Sequence, residues 1–156
     1  MSDCCSPTTL DSEKSGSNVC PSCQSRGKSV KVITLKSLLK PTVLDTLNPD
    51  LGHYFCTSEE CTVVYFDTDE KVYSVEDIKV PVYQKDKSLT TPICYCFDWT
   101  REKVGKYVSD GLKQTPVEHI RQNVKENRCG CEVNNPQGNC CLGNVTGYIK
   151  GLSENN

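Results

Sequence analysis

Twelve cysteines in 156 residues limit what this chain can become, and their spacing says more than their number. They fall in tight pairs: Cys4-Cys5, Cys20-x2-Cys23, Cys56-x4-Cys61, Cys94-x-Cys96, Cys129-x-Cys131 and Cys140-Cys141. Disulfide scaffolds scatter their cysteines so that bridges can close loops, whereas two ligands from one turn reach one ion with little loss of chain entropy. The start, Met1-Ser2-Asp3-Cys4-Cys5-Ser6-Pro7, has neither the cationic opening nor the apolar run of a secretory leader. The expectation is a reducing, cytoplasmic setting in which thiolates persist for metals. Metal would also compensate for a thin core, since hydrophobic residues make up 36% of the chain.

Composition excludes several functions. A formal net charge of −2 with 24% charged residues leaves no polybasic arm for nucleic acid and no acidic tail. No apolar stretch approaches the length of a membrane span. No nucleophile–base pair, phosphate loop or paired carboxylate site stands out, so the expectation is a protein that is not an enzyme.

The pattern along the chain predicts an α+β protein in two parts after a flexible tail at residues 1–18. A β-rich, zinc-binding module is expected over 19–90 and a helical module over 91–156. In the first, Val30, Val32, Ile33 and Leu35 form a β-prone run, followed by a short helix after Ser37. His53-Tyr54-Phe55-Cys56 and Thr62-Val63-Val64-Tyr65-Phe66 read as two strands joined by the Thr57–Glu60 turn, with a last strand at Val80, Val82 and Tyr83. In the second, Val104, Tyr107, Val108 and Leu112 keep helical spacing behind Thr100 as N-cap. Thr115-Pro116-Val117-Glu118 offers a capping box for another helix ending near Asn127. Leu142, Val145, Tyr148 and Ile149 suggest a third.

Cys20, Cys23, Cys56 and Cys61 are four thiolates on two turns, the donor set of a closed tetrahedral zinc site. A structural ion of this kind supplies folding free energy on the order of 10 kcal/mol. His53 is a spare candidate ligand beside an ordinary strand role, and His119 reads as solvent-facing. Cys94-Tyr95-Cys96 differs in kind. One intervening residue puts both sulfurs close together on an exposed loop before a helix, which suits two thiolates on one iron. Backbone N–H groups there would offset the negative charge of a four-thiolate [2Fe–2S] cluster. A second zinc site fits the same spacing. In each half, 32 residues separate one pair from the next: Cys23 from Cys56, and Cys96 from Cys129.

The Cys-x-Cys, helical hairpin, Cys arrangement resembles the bacterioferritin-associated type of ferredoxin domain. The wider set is more specific. Cys20-Pro-x-Cys23, Tyr54-Phe55-Cys56-x4-Cys61, Cys94-Tyr95-Cys96-Phe97 and Cys129-Gly130-Cys131-Glu132-Val133-x-Asn135-Pro136-x-Gly138-x-Cys140-Cys141-Leu142-Gly143 resemble the N-terminal region of CopZ-type copper chaperones, over residues 19–150. That resemblance implies a mononuclear zinc and a [2Fe–2S] cluster in a ferredoxin-like module. Full-length members add a heavy-metal-associated domain with a Met-x-Cys-x-x-Cys motif, which does not occur in these 156 residues. With Cys94 and Cys96 as two cluster ligands, the ferredoxin spacing favours Cys129 as the third, with Cys131 a close rival across the flexible Gly130, and the fourth is Cys140 or Cys141, since neighbouring side chains point apart. Cys4 and Cys5 are candidate Cu(I) donors, because Cu(I) favours soft thiolates in low coordination number. The basic residues Arg101, Lys106, Arg121 and Arg128 could soften cluster charge or form a solvated face.

The function expected is a zinc and [2Fe–2S] metal-binding protein that handles copper, binding and passing on Cu(I), with cluster-mediated reduction of Cu(II) as a further capacity. The expected partner is a copper-transporting or copper-receiving protein, or a redox partner, with no nucleic acid and no membrane insertion. The alternatives are a small ferredoxin-like electron carrier without a copper role and a structural zinc adaptor.

Overall fold

The computed structural model describes residues 18–154. In chain order the elements are β1 (Lys28–Val30), α1 (Val32–Leu38), α2 (Pro41–Leu44), β2 (His53–Phe55), β3 (Val63–Asp67) and β4 (Val72–Ser74), then β5 (Pro92–Cys94), β6 (Trp99–Thr100), α3 (Arg101–Ser109), α4 (Gln114–Lys125), α5 (Cys131–Asn134) and α6 (Leu142–Glu154). Strands β1 to β4 form one antiparallel sheet in sequence order.

Strand β3 is buried along its whole length, and its two faces serve two clusters. Val64 and Tyr65 join Val30, Leu35, Leu38, Leu39, Phe55, Tyr73, Ile78 and Val82 in the main core. Val63 and Phe66 pack instead with Cys20, Cys56 and Cys61. Strict alternation would separate the neighbours Val64 and Tyr65. The register shift between Val63 and Tyr65 against β4 lets both face the same core. Phe66 stacks on Tyr54 with ring centroids 5.5 Å apart. Gly27 makes room for that stack, since a Cβ there would sit 2.6 Å from the Phe66 ring.

Three expectations for this half are corrected. Val32–Leu38 is helical rather than extended. Its buried apolar residues, Leu35 and Leu38, are spaced by three, so one helical face meets the core while Ile33 is 40% exposed. The helix therefore starts five residues before Ser37 and contains it, and Pro41 opens a separate one-turn helix at a position where its missing N–H costs nothing. No strand forms at Val80–Tyr83; the fourth strand is Val72–Ser74, which brings Tyr73 into the core. Val82 is buried without strand pairing.

The second half is a helical layer around Ile93, Cys94, Trp99, Val104, Val117, Ile120, Cys141, Val145 and Ile149. Thr100 caps α3 by accepting from the backbone N–H of Lys103 at 3.1 Å. Both α3 and α4 end in a left-handed residue, Gly111 (φ +79°) and Asn127 (φ +61°). Each end closes with paired backbone bonds, Leu112 N to Tyr107 O and Gly111 N to Val108 O, then Arg128 N to Asn123 O and Asn127 N to Val124 O. The expected capping box at Thr115 does not form. Helix α4 begins at Gln114, with Lys113 at the N-cap and no side-chain cap. The backbone N–H of Thr115 is already bonded to the Leu112 carbonyl, which continues the turn from α3.

Candidate metal centres

Cys20 and Cys23 lie on a tight turn, where the N–H of Gln24 closes back on the Cys20 carbonyl at 2.9 Å. Cys56 follows β2 directly, and Cys61 precedes β3 at the far end of the connecting turn. Pairing β2 with β3 therefore fixes Cys56 and Cys61 relative to one another, and the bond from Cys56 N to Val64 O at 2.8 Å extends that pairing to the cysteine itself.

The four Sγ atoms all lie within 4.8 Å of one another, with Cys20 to Cys61 at 3.9 Å and Cys23 to Cys56 at 3.6 Å. A tetrahedron with Zn–S bonds of about 2.3 Å has sulfur–sulfur edges of about 3.8 Å, so the arrangement fits one such ion without rearrangement. Burial pushes the Cys56 thiol up to about 12 and raises that of Cys20. The hydroxyl and backbone N–H of Ser25 bring Cys23 down to about 6. A cation would release the protons that burial holds on the first two. His53 is not part of this group. It sits on β2 opposite Asp67, buried, with Nε2 lacking a hydrogen-bond partner.

The second set is assembled from three elements. Cys94 ends β5, Cys131 opens α5, and Cys141 immediately precedes α6. Cys94 is fully buried, not on an exposed loop, because Ile93 and Cys94 belong to the core beneath the helices. Cys96 and Cys131 are 3.6 Å apart, and Cys141 lies close enough to Cys94 and Cys131 to shift their protonation. The neighbouring Cys141 lowers the Cys131 thiol to about 6 and depresses that of Cys94, and is itself raised by them. Burial lifts Cys96 to about 11, although Gly130 N and Asn134 Nδ2 both point at its sulfur, at 3.2 and 3.5 Å.

Of the alternatives left open by spacing, Cys131 has its sulfur 3.6 Å from that of Cys96, and Cys141 perturbs both Cys94 and Cys131; Cys129 stands nearby, close enough to feel the charge of Cys131, Cys140 and Cys94. Cys129 is half-buried and Cys140 exposed, its sulfur accepting from Leu142 N at 3.4 Å. The four convergent sulfurs do not contract into a single compact set like the first. N–H donors aimed at the Cys96 sulfur offset thiolate charge at this second set. Cys4 and Cys5 lie outside the described residues.

The remaining candidates have structural roles. Arg101 is buried and donates to the carbonyls of Tyr83, Asp86 and Ser88, so it fastens the connector between the halves rather than facing the thiols. Lys106, Arg121 and Arg128 are exposed. His119 is exposed, yet its Nδ1 accepts from Trp99 Nε1 at 3.0 Å. Sequence reasoning missed helix α5, since a four-residue helix carries no periodicity, and with it the contacts that place Cys131.

Residues 17–79 match the CopZ family described as a zinc binding domain. The copper chaperone CopZ of Archaeoglobus fulgidus is 30% identical over 122 residues, 78% of this chain and 57% of that protein. The X-ray structure of the N-terminal domain of that CopZ superposes with a TM-score of 0.69 at 27% identity, covering 86% of this chain and 97% of the other. The chain belongs with the CopZ-type N-terminal regions. It spans little more than half the length of the curated CopZ, and its fold accounts for nearly all of the solved N-terminal domain. As a CopZ-type N-terminal region it carries a four-cysteine metal-binding site in a small antiparallel sheet, followed by a helical half with a second convergent set of thiols. Among the described residues no helix is long and apolar enough to cross a membrane.

Proposed function

We propose that the chain is a cytoplasmic, non-enzymatic copper-handling protein with two resident metal centres. Zn²⁺ is held by Cys20, Cys23, Cys56 and Cys61, and a [2Fe–2S] cluster by Cys94, Cys96, Cys131 and Cys141. The observation that carries this reading is the convergence of those last four thiols in the same chain, and on the same fold, as a CopZ-type four-cysteine site. The zinc ion ties the Cys20–Cys23 turn to the β2–β3 pair and replaces apolar core that the chain lacks. Bound in the second site, a [2Fe–2S] cluster supplies single electrons, the stoichiometry that conversion of Cu(II) to Cu(I) requires.

The residues around the second site suit that role. Gly130, Asn134 and the backbone N–H groups of Cys96 and Phe97 donate to sulfur and offset thiolate charge. The thiols outside both sets, Cys129 and Cys140 beside the second site and Cys4-Cys5 near the N-terminus, are the soft donors for Cu(I) as cargo. The partner is a copper-transporting or copper-receiving protein. Competition with a Cu(I) chelator tests this. The wild type should hold Cu(I) against the chelator, and the Cys4→Ser/Cys5→Ser variant should lose that capacity in part or whole. A protein that carries iron and sulfide but takes no Cu(I) would be an electron carrier instead.

A further inference from the structure

The segment from Cys131 to Cys141 bears two of the four convergent thiols, yet its anchors lie in the other half of the molecule. Its midpoint is Pro136, five residues from either cysteine. The Pro136 carbonyl accepts from the hydroxyl of Tyr65, a fully buried residue on the central strand β3. At the Cys131 end, the Glu132 carbonyl accepts from Oγ1 of Thr34 at 2.6 Å, and Thr34 is likewise fully buried on α1. Gly138 lies flush against the same surface. A Cβ there would meet Val30 Cγ1 at 3.2 Å and Thr34 Oγ1 at 3.3 Å, and its φ of +78° disfavours any other residue.

The segment is stiff enough to transmit this anchoring. Asn135 is buried; its Nδ2 donates to the Asn139 carbonyl at 3.0 Å and its Oδ1 accepts from Gln137 N at 3.1 Å. Gln137 Nε2 donates to the Cys140 carbonyl at 3.0 Å, while its Oε1 accepts from Gln84 and Asn144. Fixing Pro136 and Glu132 therefore fixes Cys131 and Cys141. The Lys31–Glu132 ion pair adds little, since both side chains are largely exposed.

We propose that Tyr65 and Thr34 are positioning residues for Cys131 and Cys141: the four-stranded half serves as the platform that sets the geometry of the second thiol set and the firmness with which it holds its metal group. This rests on the reading above that those thiols hold an iron–sulfur cluster.

The test uses the full chain, purified anaerobically with both metals, and the isosteric variants Tyr65→Phe, Thr34→Val and their double. Tyr73→Phe is the control. It removes another buried phenol of the same sheet, one that pairs with Thr46 at 3.3 Å. The readouts are the rate of visible bleaching by an iron chelator, the visible circular dichroism of the cluster, and zinc content. Loss of one buried hydrogen bond of this type corresponds to about fivefold to tenfold in rate. The expected result is bleaching faster by that factor in Tyr65→Phe and Thr34→Val, with altered visible dichroism and unchanged zinc, while Tyr73→Phe bleaches like the wild type. The proposal is overturned if the double variant keeps the wild-type rate and dichroism, or if Tyr73→Phe accelerates bleaching equally. A colourless wild type overturns the cluster reading itself, an outcome distinct from a coloured wild type insensitive to these substitutions.

Discussion

Replacing Arg101 by Met should destabilise the chain far more than loss of a surface arginine would. Arg101 opens α3 and is 5% exposed. Its guanidinium donates to Tyr83 O at 2.7 Å, to Ser88 O at 3.2 Å and to Asp86 O, and lies 4.3 Å from the Tyr83 ring centroid. Met keeps most of the aliphatic stem and removes every donor. Three carbonyls then lose a charged partner, each worth about 1 to 1.5 kcal/mol net, so the total is about 3 to 4.5 kcal/mol. For a chain of this size that lowers Tm by about 6 to 18 °C. Arg101→Lys should recover only part of the loss, because an ammonium cannot reach three diverging carbonyls in one plane. Thermal unfolding of the metal-loaded protein, with the metal content of each variant checked, measures this. A change below about 1 kcal/mol for Arg101→Met would refute the view that one buried cation secures the connector between the halves.

Further predictions separate the cysteines and the titrating groups. Cys131→Ser and Cys141→Ser should abolish visible absorbance, whereas Cys129→Ser and Cys140→Ser should retain it. Zinc affinity should rise steeply between pH 6 and pH 8, because binding must displace protons from Cys56, pushed up to about 12, and from Cys20, while Cys23 at about 6 is largely ionised across that range. A competitive chelator titration should show release of about two or more protons per zinc at pH 7.5, and a pH-independent affinity would contradict the site described. Burial lowers the affinity of His53 for a proton in the folded state relative to the unfolded value of 6.5. The unfolded chain then binds more protons below that value, so His53 contributes stability that is complete above pH 6.5 and lost as pH falls toward its folded pKa. His53→Gln should flatten that acid limb in denaturant titrations of the zinc-loaded protein.

Much of the architecture was legible where a local signal had no competitor. Thr100 caps α3 as its position implies, and Asn127 ends α4 in the left-handed region. The strands at His53–Phe55 and Val63–Asp67 follow from β-branched and aromatic runs flanking a polar turn. The failures have a common cause, which is tertiary contact overriding local preference. Val32 and Ile33 favour strand, but Leu35 and Leu38 must share a face to reach the core beside Tyr65, and only a helix permits that. Thr115 could have capped α4, but the α3 turn satisfies its N–H first. At the metal centres, spacing narrowed the second set to two pairs of alternatives without deciding either. The approach of Cys131 to within 3.6 Å of Cys96 depends on helix α5 resting against α1, through Thr34 and Glu132, residues 98 positions apart that no local pattern connects.

The most direct test of the two-centre account is metal and sulfide analysis of anaerobically purified protein alongside its absorption spectrum. About one zinc, two irons and two inorganic sulfides per chain, with a red-brown visible spectrum that bleaches on reduction, is the predicted result. A colourless protein holding zinc in both cysteine sets and no iron would contradict it.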